Sequence, residues 1–245
     1  MSKREHKTAV NEYRLDGYLP EALINFIALL GWNPGGDQEL FSLHDLEKIF
    51  DIHQVNKSGS IFDERKLEWF NGYYIRHHDP VTLTKLVIPY FVSAGYIQHT
   101  AAQDHAITDM LPKIVHIEKD RIRKLSEITA LSAHFFASEL QYGAKMLQWK
   151  SVLPMNTAEN LKLCAESIAA HNENDWSVAA LEYAIKQTIL LHKKNNGEIL
   201  WPLRVALSGQ KASPSPFEIA WILGKEMTIK RIQYAITLLE VEDDQ

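Results

Sequence analysis

Eleven histidines, one cysteine and two groups of cations are the residues in this sequence whose chemistry could support a function. The histidines are scattered: His77 and His78 are adjacent, so on a helix they point in different directions, and no His-Glu-x-x-His or Cys/His spacing occurs. Cys164 stands in an apolar helical pattern with Leu161 and Ile168, which indicates a buried thiol rather than a nucleophile. Neither a glycine-rich phosphate loop nor a G-x-S-x-G elbow is present. We therefore expect no metal site and no complete catalytic apparatus in this chain.

Clustered cations are the second feature, because nucleic-acid phosphates bind lysine and arginine side chains. Two segments contain five cations each: Lys113, Lys119, Arg121, Arg123 and Lys124 in the first, and Lys186, Lys193, Lys194, Arg204 and Lys211 in the second. The net charge of -5 argues weakly against such a partner, but the acidic end from Glu240 to Asp244 supplies four of those excess charges. The cations fit either an RNA-binding surface or two solvated helix faces.

Helices are the elements that must position these residues. Proline inside the start and glycine past the end predict a helix from Pro20 to Gly31, Ser42 with Asp45 predicts the start of the next, and Asp63 that of a third. The expected helices after the break at Asp79-Pro80 cover 81–94, 101–115, 125–140, 157–170, from Asp175 or Ser177 to Asn195-Asn196-Gly197, 201–207, from Ser215 to Gly224, and on to about 240. Because period-two alternation bounded by turns is missing, the sequence predicts an all-α chain.

The apolar segments are short. None approaches the roughly 20 residues that cross a bilayer, and the first residues are charged with no apolar region behind them. A single cysteine excludes an internal disulfide. We expect a cytoplasmic protein with no membrane partner.

Four blocks of residues resemble one family. The first, from Tyr13 to Trp32, reads Tyr-Arg-x-x-Gly-Tyr-Leu-Pro-Glu-Ala-Leu-x-Asn-Phe and then Leu-Leu-Gly-Trp. The second, from Phe62 to Arg76, reads Phe-Asp-x-x-Lys-Leu-x-Trp-x-Asn-x-Tyr-Tyr-Ile-Arg; the third is Arg121-x-x-x-Leu125; the fourth spans 202–226 with Pro-Leu-Arg-x-Ala-Leu-Ser-Gly, Pro-x-x-Phe-Glu and Leu-Gly-Lys-Glu. With Met1-Ser2-Lys3 in front, the chain resembles the C-terminal portion of bacterial-type glutamyl-tRNA synthetase, a class I enzyme, beginning inside its KMSKS loop. Residues 130–190 match only in helical pattern.

The resemblance implies an all-α fold in which a stem-contact helical unit is followed by an α-helix cage that binds the anticodon. It divides the chain into 1–77, the loop remnant and stem-contact unit, and two anticodon-binding subunits, 78–133 and 134–245. It places the nucleotide-binding catalytic domain, with its HIGH signature, outside this chain, where no His-x-Gly-His occurs. The implied partners are a glutamate-accepting tRNA and that catalytic domain, and the implied state is a monomer.

The resemblance also assigns residues. It implies that Arg121 and Arg204 read anticodon bases, which suits a planar guanidinium that stays charged beside phosphates. The loop residues Ser213, Pro214 and Ser215 match a segment of the family that lies beside the anticodon. Their alternative role is purely structural, which is to cap the next helix. Lys66, Asn71 and Arg76 could contact the tRNA backbone near the D stem, or serve only as surface or capping residues. Trp69, with Leu67, Phe70 and Tyr74, is expected in the core.

Activity is expected only in the joined enzyme. The resemblance implies ATP and Mg²⁺ as its cofactors and none for this part, and Lys3 would be the second signature lysine, which contacts the ATP pyrophosphate but is inactive alone. Whether glutamine tRNA is also charged stays open. The rival interpretation is a free-standing helical scaffold that binds protein without RNA specificity, which the negative net charge favours and the matched arginines oppose.

Overall fold

The computed structural model describes residues 9–56, 61–98 and 106–243. In these ranges the chain forms helices and no strand, so the all-α prediction is confirmed. The helices are α1 (Val10–Asp16), α2 (Pro20–Gly31), α3 (Leu43–Ile49), α4 (Glu64–His77), α5 (Pro80–Ser93), α6 (Leu111–Glu118), α7 (Glu127–Phe136), α8 (Pro154–Ala170), α9 (Val178–Leu191), α10 (Asn196–Ser208) and α11 (Pro216–Asp243). Backbone contacts divide the chain into two units, Met1–Leu131 and Ser132–Gln245. The three-part division at 77 and 133 stays a prediction.

The predicted caps are present where the sequence places them. Ser42 accepts a hydrogen bond from the Asp45 amide, and Asp63 accepts from the amides of Arg65 and Lys66. Asp79 caps α5 ahead of Pro80. These side chains satisfy amides that a helix leaves unpaired at its start, which is why α3, α4 and α5 begin at these residues.

The start of α10 differs from the prediction. The sequence Asn195-Asn196-Gly197 was expected to end the preceding helix, but α9 ends at Leu191 and Asn195 caps α10 by accepting from the Gly197 amide. Asparagine favours both ends of helices, so its presence alone does not decide between them. The helix that contains Arg204 is therefore longer than the predicted 201–207.

Unit 1 is organised around the pair α2 and α4. Phe26 of α2 lies edge-on to Phe62, with ring centroids 5.0 Å apart, and also contacts Phe70 of α4. Gly17 connects α1 to the rest of the unit: its φ of 95° is left-handed, and a Cβ there would lie 2.4 Å from the Leu125 nitrogen. Only glycine permits this approach of two backbones.

Unit 2 is a bundle of α8, α9, α10 and α11. The helix α11 packs along α8 and α10, and α8 also contacts α9. Buried Leu161, Ile185, Leu203 and Ile232 contribute one side chain from each helix to the core. At Gly224, with φ 75° and ψ 170°, the backbone leaves helical geometry, which matches the predicted helix end there.

Candidate nucleic-acid interface

Arg121 lies just past the end of α6 and is bonded to a buried carboxylate. Its Nη1 donates to both oxygens of Glu118, at 3.0 and 2.7 Å. The Glu118 side chain is fully buried, whereas 35% of the Arg121 side chain is exposed. The guanidinium therefore pairs with an interior charge and still presents part of its surface to solvent.

The first cation cluster is largely neutralised by neighbouring acids. Lys113 pairs with Asp109 at 2.8 Å, and Lys124 lies 3.6 Å from Asp16 and 3.3 Å from Glu68. Burial opposes the charge of Lys124, but these carboxylates outweigh it and raise its pKa. The unpaired positive charge between Lys113 and Lys124 is therefore smaller than a count of five cations indicates, because counting charges along a sequence does not show which carboxylates pair with them.

Arg204 has a different environment on α10. Its side chain is half-buried and makes no hydrogen bond or ion pair with any described residue. The helix beneath it is fixed: Pro202 lies inside α10 and is buried, and the Trp201 indole donates to the Met146 carbonyl at 3.0 Å. A rigid helix thus presents a guanidinium whose donors are available to a ligand.

The second cation cluster keeps most of its charge unpaired. Lys186 is bonded to Glu182 at 2.6 Å. In contrast, Lys193, Lys194 and Lys211 make no ion pair with the residues that the structure describes. The predicted basic character therefore holds better in unit 2 than in unit 1.

Arg231 is a structural residue that sequence reasoning missed. Its guanidinium, on α11, is buried and donates to the carbonyls of Leu207 at 2.6 Å, His134 at 2.7 Å and Ala137 at 3.0 Å. Burial lowers its pKa to about 10. These bonds tie the ends of α7 and α10 to α11. An arginine in an apolar stripe, directly before Ile232, was the signal that could have found it.

The loop before α11 is largely used by the protein itself. The Ser215 amide donates to the Glu218 carboxylate at 2.7 Å and the Glu218 amide donates to Ser215 Oγ at 3.2 Å, which is the predicted capping box. Ser213 Oγ donates to the Pro214 carbonyl at 3.0 Å. Pro214 is buried, so its ring packs within the protein, and the anticodon-binding role implied for this loop stays a prediction.

Asn71 does not have an exposed side chain. It is fully buried in α4, where its oxygen accepts from the Leu19 amide at 2.7 Å and its nitrogen donates to the carbonyls of Gly17 at 3.1 Å and Arg123 at 2.5 Å. Every amide hydrogen and the oxygen are thus engaged. This buried position is neither the exposed stem contact nor the surface or capping position that the sequence suggested for Asn71.

The other stem candidates remain accessible. Lys66 is bonded to Glu39 on the surface, and Arg76 is half-buried near the end of α4. Trp69 was expected in the core beside Leu67 and Phe70, but 45% of it is exposed. Its position, two residues after Leu67 and one before Phe70, turns it away from the side of α4 on which both are fully buried.

The remaining predictions concern Lys3, Cys164, metal sites and membrane-spanning segments. Lys3 lies outside the described residues. Cys164 is buried in α8, and burial raises the pKa of its thiol to about 12, as expected of an unreactive cysteine. In the described ranges no three His, Cys, Asp or Glu residues come together as a metal site. Across the same ranges, every helix is too short or too polar to span a bilayer.

Known proteins share this sequence and fold. A family described as anticodon binding domain matches residues 82–236, which is more than half of the chain. This chain belongs to that anticodon-binding family. A second family, the catalytic domain of class I tRNA synthetases for E and Q, matches residues 1–69.

Relatives of this anticodon-binding protein are glutamate–tRNA ligases. The protein of Desulforamulus reducens is 38% identical over 241 residues, covering 96% of this chain and 48% of its own length, and that of Clostridium tetani is 37% identical over 247 residues, covering 100% and 48%. A crystal structure of the glutamate–tRNA ligase of Elizabethkingia meningosepticum has a TM-score of 0.77 at 27% identity over 92% of this chain and 42% of that one. The chain spans about half the length of these relatives. The resemblance inferred from the four blocks is confirmed.

Proposed function

We propose that this chain is the tRNA-binding part of a glutamate–tRNA ligase and recognises the anticodon arm through Arg204. The observation that supports this most is the guanidinium of Arg204, which has no partner among the described residues and is held on a rigid helix within the matched family segment. Unstacked loop bases expose their edges, and a planar guanidinium can bond such an edge through two donors. Arg121 is the second proposed reader, through the edge that its bond to Glu118 leaves exposed.

The proposed substrate chemistry belongs to the longer protein. Joined to a catalytic domain, this part would position glutamate-accepting tRNA for ATP-dependent and Mg²⁺-dependent ligation of glutamate. A cytoplasmic location and a monomeric state stay predictions of the sequence.

Fluorescence anisotropy of this chain with a glutamate tRNA transcript tests the proposal. At fixed moderate salt we expect Arg204→Ala to weaken binding about tenfold, since a bidentate contact to a base contributes about 1–3 kcal/mol. An anticodon-substituted transcript should bind the unaltered chain comparably weakly. The control is Arg65→Ala, which removes one positive charge from an exposed position on α4 by the same substitution.

The rival scaffold interpretation predicts a different result. If the unaltered chain and Arg204→Ala bind both transcripts equally well, Arg204 does not recognise the anticodon. RNA affinity that does not fall with rising salt would favour a protein-binding scaffold, because phosphate contacts release counterions. Pyrophosphate exchange into ATP by this chain alone is expected to be absent, and its detection would contradict the division of roles proposed here.

A further inference from the structure

Arg76 and Arg123 converge over Gly72, although 47 positions of sequence separate them. Arg76 is near the end of α4, and Arg123 lies in the segment between α6 and α7. Around the point that a Cβ on Gly72 would occupy, Nη1 of Arg76 lies at 3.2 Å and Cγ of Arg123 at 3.7 Å. Both side chains, together with the Ile122 carbonyl oxygen at 3.7 Å, thus line the space that the missing side chain at Gly72 leaves open.

This convergence lacks the acids that accompany the neighbouring cations. Lys66, Lys113, Arg121 and Lys124 each have a carboxylate partner. Neither Arg76 nor Arg123 has an ion pair or side-chain hydrogen bond with the described part of the chain. An anion at this space would therefore lie beside two cationic side chains that no described carboxylate neutralises.

The protein also holds the backbone at Arg123 in place. Asn71 donates to the Arg123 carbonyl at 2.5 Å, and the Glu127 carboxylate accepts from the Arg123 amide at 2.8 Å and the Lys124 amide at 3.3 Å. Because Glu127 is occupied with these amides at the start of α7, the backbone is fixed while the Arg123 side chain is exposed. This arrangement fixes the origin of a cationic side chain without neutralising it.

We propose that Arg76 and Arg123 together bind one phosphate group of the RNA backbone. The proposal rests on the proposed tRNA-binding function and adds a second contact in unit 1, independent of base identity. Arginine forks match phosphate geometry, and a phosphate has enough oxygens to accept from both. Asn71, which the sequence suggested as a stem contact, serves this site by holding the Arg123 carbonyl and touches no RNA.

The test is a double-mutant cycle on tRNA affinity as a function of salt. Arg76→Gln, Arg123→Gln and the double variant are titrated by anisotropy with the glutamate tRNA transcript, and Arg65→Gln on α4 is the charge-matched control. We expect either single variant to lower affinity severalfold. The slope of log affinity against log salt should become shallower by about 0.7–0.9 in the double variant, the value for one phosphate contact. Because both arginines bind the same group, the double variant should lose little more than either single one.

Two further measurements, the dependence of affinity on the anticodon and thermal unfolding, separate an RNA contact from a structural role. The loss caused by Arg76→Gln or Arg123→Gln should be equal for the cognate and the anticodon-substituted transcripts, unlike the loss caused by Arg204→Ala. Thermal unfolding should stay unchanged, because neither substitution removes an ion pair with the described residues or leaves a carboxylate unpaired. A merely structural role would instead lower the melting temperature along with the affinity.

The proposal is overturned if both single variants behave like Arg65→Gln, or if their losses simply add, which would indicate two separate contacts. These results differ from failure of the proposed function. In that case the unaltered chain itself would show no salt-dependent affinity for tRNA, whatever happens at Arg76 and Arg123.

Discussion

The two units of this protein use arginine in different ways. In unit 1, Arg121 pairs with the buried Glu118 and also exposes part of its own guanidinium. In unit 2 these tasks belong to two residues: Arg231 is buried and bonded to three carbonyls, whereas Arg204 has no partner among the described residues. Structural support and the proposed RNA contact thus fall on one arginine in unit 1 and on two arginines in unit 2.

This difference teaches how substitutions should be interpreted. Removing Arg204 breaks no hydrogen bond or ion pair with the described residues, so we expect affinity to change more than stability. Removing Arg121 takes away a proposed base contact and also an ion pair to the buried Glu118, so we expect both properties to change. A loss of RNA binding at Arg121 is therefore weaker evidence for base reading than the same loss at Arg204.

The largest expected effect is that of Arg231→Met. Methionine keeps much of the side-chain length but leaves the carbonyls of Leu207, His134 and Ala137 without these donors, which should cost about 3 kcal/mol of unfolding free energy. Urea unfolding measures the loss. Alkylation of Cys164 at pH 8 shows whether the lost stability belongs to unit 2, because this buried thiol becomes reactive when unit 2 opens. The alkylation rate should rise about a hundredfold.

Lys230→Met is the control for this experiment, since it removes the preceding, exposed cation of α11. It should change neither unfolding nor alkylation appreciably. A loss below about 1 kcal/mol in Arg231→Met would mean that water replaces the guanidinium, and the separation of roles in unit 2 would be lost.

Arg121→Met should have an intermediate effect. With the Glu118 carboxylate still buried, we expect a loss of about 2 kcal/mol, moderated because Arg121 is partly exposed. Adding Glu118→Gln should restore most of this stability by removing the interior charge, but it should not restore RNA affinity. Recovery of both would indicate that Arg121 acts only as the partner of Glu118, whereas unchanged stability in the single variant would remove the contrast with Arg204.

The smallest expected effect is that of Ser215→Ala. It removes the hydroxyl that accepts from the Glu218 amide, at a cost of about 1 kcal/mol in unfolding free energy. RNA affinity should stay constant if the loop serves α11 alone. Thermal unfolding and anisotropy together check this, with Ser213→Ala as the neighbouring hydroxyl control; a fall in affinity for Ser215→Ala only would assign that hydroxyl to the RNA.

Features that depend on neighbouring residues were predictable from the sequence. Ser42, Asp63 and Ser215 cap helices as expected, because a cap requires only a side chain and an amide two or three residues away. The start of α10 was predicted wrongly, since Asn195 suits either end of a helix. Arg121 and Arg204 could be identified only by family resemblance, and nothing local distinguishes their environments.

Features that depend on distant residues were not predictable. Asn71 bonds to groups more than fifty positions away, and Arg231 reaches His134 across 97 positions. Trp69 was also predicted wrongly. Its aromatic character suggested burial, but its angular position on α4 leaves it exposed. Pairing partners and side-chain burial are properties of tertiary structure. For this reason the sequence shows the cations between Lys113 and Lys124 but not which carboxylates neutralise them.

The contact at Gly17 has a consequence for the order in which the chain folds. Its carbonyl accepts from the Leu125 amide at 3.0 Å, and Ser126 Oγ donates to the Asp16 carbonyl across 110 positions. On a ribosome, α1, α2 and α4 are therefore synthesised long before the segment that completes their packing, and closure of this long loop slows folding. Until Leu125 emerges, the buried amide of Asn71 lacks its bond to Arg123. A nascent chain that stops at residue 77 should accordingly remain sensitive to protease, and protection should begin only when the turn before α7 has left the exit tunnel.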